Sequence, residues 1–169
     1  TSAHLPQRIQ AEVFLSSYLL NARSALVVFE REAPLNEVIK SGTILDARSS
    51  TELFNGIFFK NSALHDGAVV VKDAKIYAAG CILPLTQNNA ISSDLGTRHR
   101  AAIGMSEQSD AVVVIVSEET GYISVAINGK LQRDIKTSNL REILLSNLIT
   151  DNDKKDKPKK KKRGGSSEK

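Results

Sequence analysis

A single cysteine, Cys81, rules out an internal disulfide, so no covalent staple holds this 169-residue chain and a reducing compartment suits it. Tryptophan is absent and aromatic residues make up only 5%, which leaves aliphatic side chains to fill a core. Apolar runs such as Ala25–Phe29 and Ala111–Val116 fall far short of the ~18–20 residues that a membrane-spanning helix needs. No signal peptide is visible. The phosphate loop Gly-x-x-x-x-Gly-Lys-Ser/Thr and the dinucleotide fingerprint Gly-x-Gly-x-x-Gly are both missing, so the common nucleotide folds are not indicated. His4, His65 and His99 have no zinc spacing, and no Gly-x-Ser-x-Gly elbow occurs. Cys81 lies in a β-rich run and reads as a core residue.

What remains is ordinary for a globular domain: 41% hydrophobic and 25% charged residues. A chain of this length buries roughly 68–70% of its unfolded surface and needs no metal to hold a core. The net charge of +4 is unevenly placed. Residues 151–169 carry nine basic and four acidic groups, net +5, against 14 basic and 15 acidic in residues 1–150. The basic character belongs to the tail, which argues against nucleic acid as a partner of the domain itself.

Hydrophobic spacing divides the chain into three parts. Residues 1–23 predict an amphipathic helix, from Ser2 to about Asn21, packed on the domain. Residues 24–149 predict the folded domain, and residues 150–169 a disordered Lys-rich tail without apolar side chains. Within the domain, strands are expected at Ser24–Glu30, Thr43–Ala47, Gly67–Lys72, Lys75–Leu83, Asp110–Ser117, Tyr122–Ile127 and Lys130–Ile135. Asp73-Ala74 and Asn128-Gly129 mark hairpin turns. Helices are expected from Pro34 to Lys40 (stopped by Gly42), from Ser50 or Thr51 to Asn55, from Gly96 to Ser106 entered through a capping Thr97, and from a capping Thr137 or Ser138 to Ile149. Hairpins and helices alternate without a regular βαβ period, which predicts an α/β fold: a mixed β-sheet flanked by helices.

Three clusters can carry chemistry. Leu64-His65-Asp66-Gly67-Ala68 places a carboxylate and an imidazole before an apolar strand, beside a glycine that permits close backbone approach; the same residues suit a plain turn. Leu95-Gly96-Thr97-Arg98-His99-Arg100 opens a helix with two arginines, although the helix dipole disfavours cations there. A bound polyphosphate explains them, and so do surface ion pairs. Ser117-Glu118-Glu119-Thr120-Gly121 ends an apolar strand with two acids that either face solvent or, at Glu119, assist a metal or a hydroxyl group.

Asp66-Gly67-Ala68 and Arg98-His99-Arg100, together with Leu83-Pro84-Leu85 and Val116-Ser117-Glu118-Glu119-Thr120-Gly121, resemble in order the sequence blocks of diadenylate cyclase domains from about Ser24 to Ile149. The resemblance implies condensation of two ATP into cyclic di-AMP with release of two pyrophosphates. It is closest to the branch whose catalytic domain follows an amino-terminal membrane segment, and the start at Thr1 rather than Met fits an upstream segment that is missing here. The cytoplasmic side of a cell membrane is the location it implies.

By similarity to that family, Asp66 lies by the ribose 3′-hydroxyl and a divalent metal (Mg²⁺ or Mn²⁺), with His65 as a neighbouring ligand. Arg98 and Arg100 hold the triphosphate, Thr97 contacts phosphate or ribose, and Gly67 lets the backbone approach the nucleotide, with Ala68 and Gly96 as further nucleotide-binding positions. Leu83 contacts adenine. His99, Ser117 and Glu119 are further nucleotide-binding candidates. Relatives often carry an aromatic residue before the leucine, where this chain has Ile82. The nearly two-fold product implies a face-to-face homodimer with both ATP molecules between the domains. Two rival classes stay open: a catalytically silent module that binds ATP or a cyclic nucleotide, and a nucleic-acid or anionic-membrane binder acting through the basic tail.

Overall fold

The computed structural model describes Pro6, Ile9 and residues 17–149 and 151–155. Seven strands, β1 (Ala25–Phe29), β2 (Thr43–Arg48), β3 (Ala68–Lys72), β4 (Lys75–Cys81), β5 (Val112–Val116), β6 (Ile123–Ile127) and β7 (Lys130–Ile135), form one sheet in the order β2-β4-β3-β1-β5-β6-β7. Only β1 and β3 pair in parallel; every other neighbouring pair is antiparallel. Five helices accompany it among the described residues: α1 (Asn36–Ser41), α2 (Thr51–Phe58), α3 (Thr97–Gln108), α4 (Thr137–Leu148) and α5 (Asp151–Lys155). The mixed sheet flanked by helices is the class the sequence predicts.

The central strands are apolar throughout because both faces are covered. All five residues of β1 and all five of β5 are buried. Successive side chains leave a strand on opposite sides, so each strand feeds two cores. Val27, Phe29, Val114 and Val116 pack with Phe54 and Ile57 of α2 and with Leu140, Leu144 and Leu148 of α4. Leu26, Val28, Val113 and Ile115 pack on the other face with Ile39 of α1 and Ala101, Ala102 and Met105 of α3. The outer strands β2 and β7 alternate with solvent-facing residues instead.

Most of the predicted amino-terminal helix lies outside the described residues. Residues 17–19 are helical, and Ile9 and Leu19 are buried in the first core. The two predicted hairpin turns are present, with positive φ at Asp73, Ala74, Asn128 and Gly129.

Several boundaries differ from the prediction. The strand expected to reach Leu83 ends at Cys81. Gly42 follows α1 in extended geometry, not as a left-handed stop, and its bare Cα is needed because a Cβ would lie 2.5 Å from both the Ala79 oxygen and Cys81 Sγ. Gly96 occupies the cap position of α3 and Lys136 that of α4, so Thr97 and Thr137 are already helical and no side chain caps either helix. The tail expected to be disordered from Thr150 begins with helix α5, whose first turn places Asp151 and Asp153 where the helix dipole favours acids. Residues 156–169 lie outside the described part.

Ser50, one of the two predicted caps, is the N-cap of α2: its Oγ accepts a 3.1 Å hydrogen bond from the Leu53 N–H, and the helix continues to Phe58 rather than Asn55. Ser50→Ala removes that acceptor and is expected to cost about 1 kcal/mol of stability. Urea titration checks it: the midpoint falls while the slope stays constant.

Candidate active site

Sheet register brings distant parts of the chain to one end of the sheet. Ala25 pairs with Val116 and Val116 with Ile123, so Ser24, Ser117 and Tyr122 flank one another at that end. Because β3 runs parallel to β1, with Val27 opposite Val69, the Asp66-Gly67 turn before β3 arrives at the same end. Ile135 pairs with Ile123 and brings the end of β7 there as well. The first turn of α3 completes the group.

Two clefts open at this end. One, of about 530 Å³, is lined by Gly96–His99, Ser117–Thr120, Tyr122, Arg133 and Asp134. The other, of about 730 Å³, is lined by Asn21–Ser24, Phe58, Phe59, Lys60, His65 and Asp66. Both lie in the size range of small-molecule sites. Arg98 and Glu118 line both and form the wall between them. Arg98 Nη1 lies 3.6 Å from Glu118 Oε2 and also donates to Ser24 Oγ.

The first turn of α3 has no side-chain cap, so its backbone N–H groups and the helix dipole favour an anion in the first cleft. Gly96, Thr97 and Glu119 are exposed there, with Ser117 half-buried. Neighbouring charges are largely matched within the protein. Arg133 makes two 3.2 Å hydrogen bonds to Asp94 Oδ2. The Ser92 hydroxyl, followed by Arg133, holds the Asp94 carboxyl below its ordinary range. Burial lowers the pKa of His99, and the Arg133 guanidinium adds to that effect. His99 is thus favoured in its neutral form.

In the second cleft, His65 Nδ1 lies 2.6 Å from the Ser62 carbonyl oxygen, which can only accept, so Nδ1 donates there and leaves Nε2 for another partner. That Nε2 lies 3.3 Å from Asp66 Oδ1. Among the described residues no three His, Cys, Asp or Glu side chains gather as a metal cage. One imidazole nitrogen and one exposed carboxylate fit a cation that takes its remaining ligands from phosphate and water, as Mg²⁺ commonly does.

Four expected site residues sit elsewhere than at a cleft surface. Arg100 follows Arg98 by two positions, about 200° around the helix, and lines neither cleft. Leu83 is buried and packs with the second core, next to an exposed Ile82 whose N–H donates to Ser41 Oγ. Ala68 is fully buried in that core. Gly67 has φ +92°, and a Cβ there would lie 2.6 Å from the Cys81 oxygen and 2.8 Å from the Gly80 carbonyl carbon. Its missing side chain admits the backbone of β4. Cys81 is buried as predicted, and burial pushes its thiol up to about 11.

Sequence reasoning passed over Ser24, Glu118 and Arg133 as site residues. Glu118 stands in the quoted Ser117–Gly121 cluster but received no role of its own, while Ser24 and Arg133 lie in no local motif and reach the site only through the sheet register.

Residues 17–131 match the family model described as the DisA bacterial checkpoint controller nucleotide-binding domain, DAC. The chain is 46% identical over 137 residues to the cyclic di-AMP synthase CdaA of Bacillus subtilis, covering 80% of this chain and 50% of that protein. It is 40% identical over 166 residues to a diadenylate cyclase of Listeria monocytogenes, covering 98% of this chain and 60% of the relative. The chain thus spans about half to three-fifths of the length of these curated relatives. Among solved structures, a double cysteine mutant of DacA from Staphylococcus aureus superposes with a TM-score of 0.77 at 46% identity, covering 85% of this chain and 97% of that one. A Bacillus cereus protein described as a hypothetical membrane spanning protein gives a TM-score of 0.65 at 46% identity, covering 75% and 61%. No helix among the described residues is long and apolar enough to cross a membrane. A family match over more than half the chain, 97% coverage of the crystallised DacA chain and the shared mixed sheet lead to one conclusion: this chain belongs to the DAC family of nucleotide-binding domains.

Proposed function

We propose that this domain is a diadenylate cyclase that condenses two ATP into cyclic di-AMP, each ribose 3′-oxygen attacking the α-phosphorus of the other ATP and expelling pyrophosphate. The observation that carries this reading is the meeting of Asp66 and Arg98 at one sheet end, on clefts that share the Arg98–Glu118 wall. Each transfer forms a 3′-O–P bond and breaks the bond from the α-phosphorus to the bridging oxygen. The pair of electrons leaves with pyrophosphate, and the hydroxyl proton passes to the carboxylate beside it.

Roles follow from the placement. Asp66 orients the 3′-hydroxyl and takes its proton. Arg98 and the first turn of α3, from Gly96 through Thr97 to His99, hold the triphosphate. Ser117 and Glu119 border the same cleft and contact the nucleotide. Asp66 and His65 Nε2 would hold a divalent cation together with phosphate oxygens. When bound, that cation offsets phosphate charge and lowers the barrier to deprotonating the hydroxyl. Gly67, Ala68 and Leu83 shape the site from behind, through backbone and packing. Arg100, on another side of α3, contributes to the triphosphate field from outside the two clefts.

A nearly two-fold product formed by domains with one nucleotide site each requires two copies to meet face to face. The partner is therefore a second copy of this chain, and an amino-terminal membrane segment in the full-length protein would concentrate such pairs on the cytoplasmic side of a membrane.

Incubation with ATP and either Mg²⁺ or Mn²⁺, followed by mass-resolved chromatography, is expected to yield a cyclic dinucleotide only when metal is present. Turnover per subunit is expected to rise with enzyme concentration until the dimer saturates. Metal-dependent ATP binding without product at any enzyme concentration would identify a silent binding module instead, and no ATP binding would refute the reading.

A further inference from the structure

Arg98 is the one cation that lines both clefts among their described residues, and two groups hold it. On one side its Nη1 donates to Ser24 Oγ, a contact between residues 74 positions apart in sequence. On the other it pairs with Glu118 Oε2. The arginine side chain is 28% exposed and that of Glu118 is 65% exposed, so the acid sits outward and the guanidinium beneath it. Neither partner is loosely placed. Ser24 directly precedes β1, whose register with β5 is continuous from Ala25–Val116 to Phe29–Val112. The loop that carries Glu118 is closed on itself: Gly121 N–H donates to the Ser117 oxygen at 2.8 Å, and Ser117 N–H to the Tyr122 oxygen at 3.0 Å.

The two partners differ in chemistry. A neutral hydroxyl fixes the direction of a guanidinium without neutralising it, whereas a carboxylate and a phosphate compete for the same charge and the same donors. Resting on the nucleotide reading above, we propose that Ser24 and Glu118 jointly set the availability of Arg98: Ser24 is a positioning residue that aims it at the clefts, and Glu118 is an internal competitor that substrate phosphate must displace. Release of the carboxylate costs little, because half-exposed ion pairs are weak.

The two substitutions have opposite expected signs, which a purely structural role for both would not give. Titration of the chain with ATP and Mg²⁺ should show Glu118→Gln binding roughly two- to fivefold tighter, from the worth of an exposed pair. Ser24→Ala should bind about two- to tenfold more weakly, from the net worth of one hydrogen bond, and Ser24→Thr, which keeps the hydroxyl, should restore binding. In turnover both effects appear in KM with kcat nearly constant. Unchanged or weaker binding by Glu118→Gln, or wild-type binding by Ser24→Ala, overturns the proposal. A second readout needs no nucleotide: modification of Arg98 by phenylglyoxal, mapped by peptide mass spectrometry, should be faster in Glu118→Gln than in wild type. Equal rates overturn the competition. Faster modification in a protein that does not bind ATP supports the competition and refutes the function instead.

Discussion

Arg98→Ala and Asp66→Asn are each expected to lower cyclic dinucleotide formation by about 10²–10³-fold, the usual cost of removing a charged group aimed at developing charge, and to do so in different ways. Arg98 acts on the triphosphate, which is charged before transfer and gains further charge on the pyrophosphate oxygen as it leaves. Its loss therefore weakens ATP binding as well as turnover. Asp66 lines the other side of the shared wall, 86% exposed and 3.3 Å from His65 Nε2. Asparagine keeps its shape but neither takes a proton nor contributes charge to a cation. Asp66→Asn should thus bind ATP almost normally and fail in the chemical step. Arg98→Lys should recover only part of the lost rate, because an ammonium lacks the planar fork that meets both phosphate and Ser24. Both substituted proteins should fold: Asp66 is 86% exposed, where a change usually costs about 0.5 kcal/mol or less, and Arg98→Ala gives up one hydrogen bond and one half-exposed ion pair, about 1–2 kcal/mol. Titration calorimetry with ATP and Mg²⁺, beside product chromatography and a melting curve, separates the cases. Turnover above a tenth of wild type in either variant overturns the assigned role.

The fold class was legible because its signals are local. Seven short apolar runs, two dipeptide turns and the 3.6-residue spacing of Leu140, Leu144 and Leu148 each report on a few neighbouring residues. The order of the strands was not legible. Nothing in Ala68–Lys72 states that it lies parallel to Ala25–Phe29 while everything else runs antiparallel, since that depends on which faces the helices cover. Helix ends were misread where a Thr or Ser beside the boundary suggested a cap but the backbone turned one residue earlier, at Gly96 and Lys136. The site divided along the same line. Asp66 and Arg98 stood out because each sits in an unusual local string. Ser24 and Glu118 did not, because a serine before a strand and an acid after one are ordinary until the register of β1 on β5 sets them on either side of the same guanidinium.

Gly67 is where the sequence motif and the fold make competing claims, and Gly67→Ala distinguishes them. If the glycine serves only to let a nucleotide approach, alanine lowers ATP binding in a normally stable protein. The geometry gives a different expectation. The residue holds φ +92°, a region that costs an L-residue on the order of 1–3 kcal/mol. A methyl group there also meets the Cys81 oxygen at 2.6 Å and the Gly80 carbonyl carbon at 2.8 Å, both backbone atoms of β4 that cannot rotate away. Relief requires β3 and β4 to separate at the pair Ala68–Cys81, next to a register irregularity between Ala68 and Val70. Overpacking of this kind adds typically 1–3 kcal/mol. The variant should therefore lose about 2–6 kcal/mol of stability, a large part of what a domain of this size possesses, seen as a fall in the urea midpoint and a lower melting temperature. Catalysis should fall with it, because separation of these strands moves Asp66 away from Arg98. Saturating ATP and Mg²⁺ should recover some of the lost stability through binding to the folded form. A Gly67→Ala protein as stable as wild type would return the residue to the nucleotide and remove its role in the sheet.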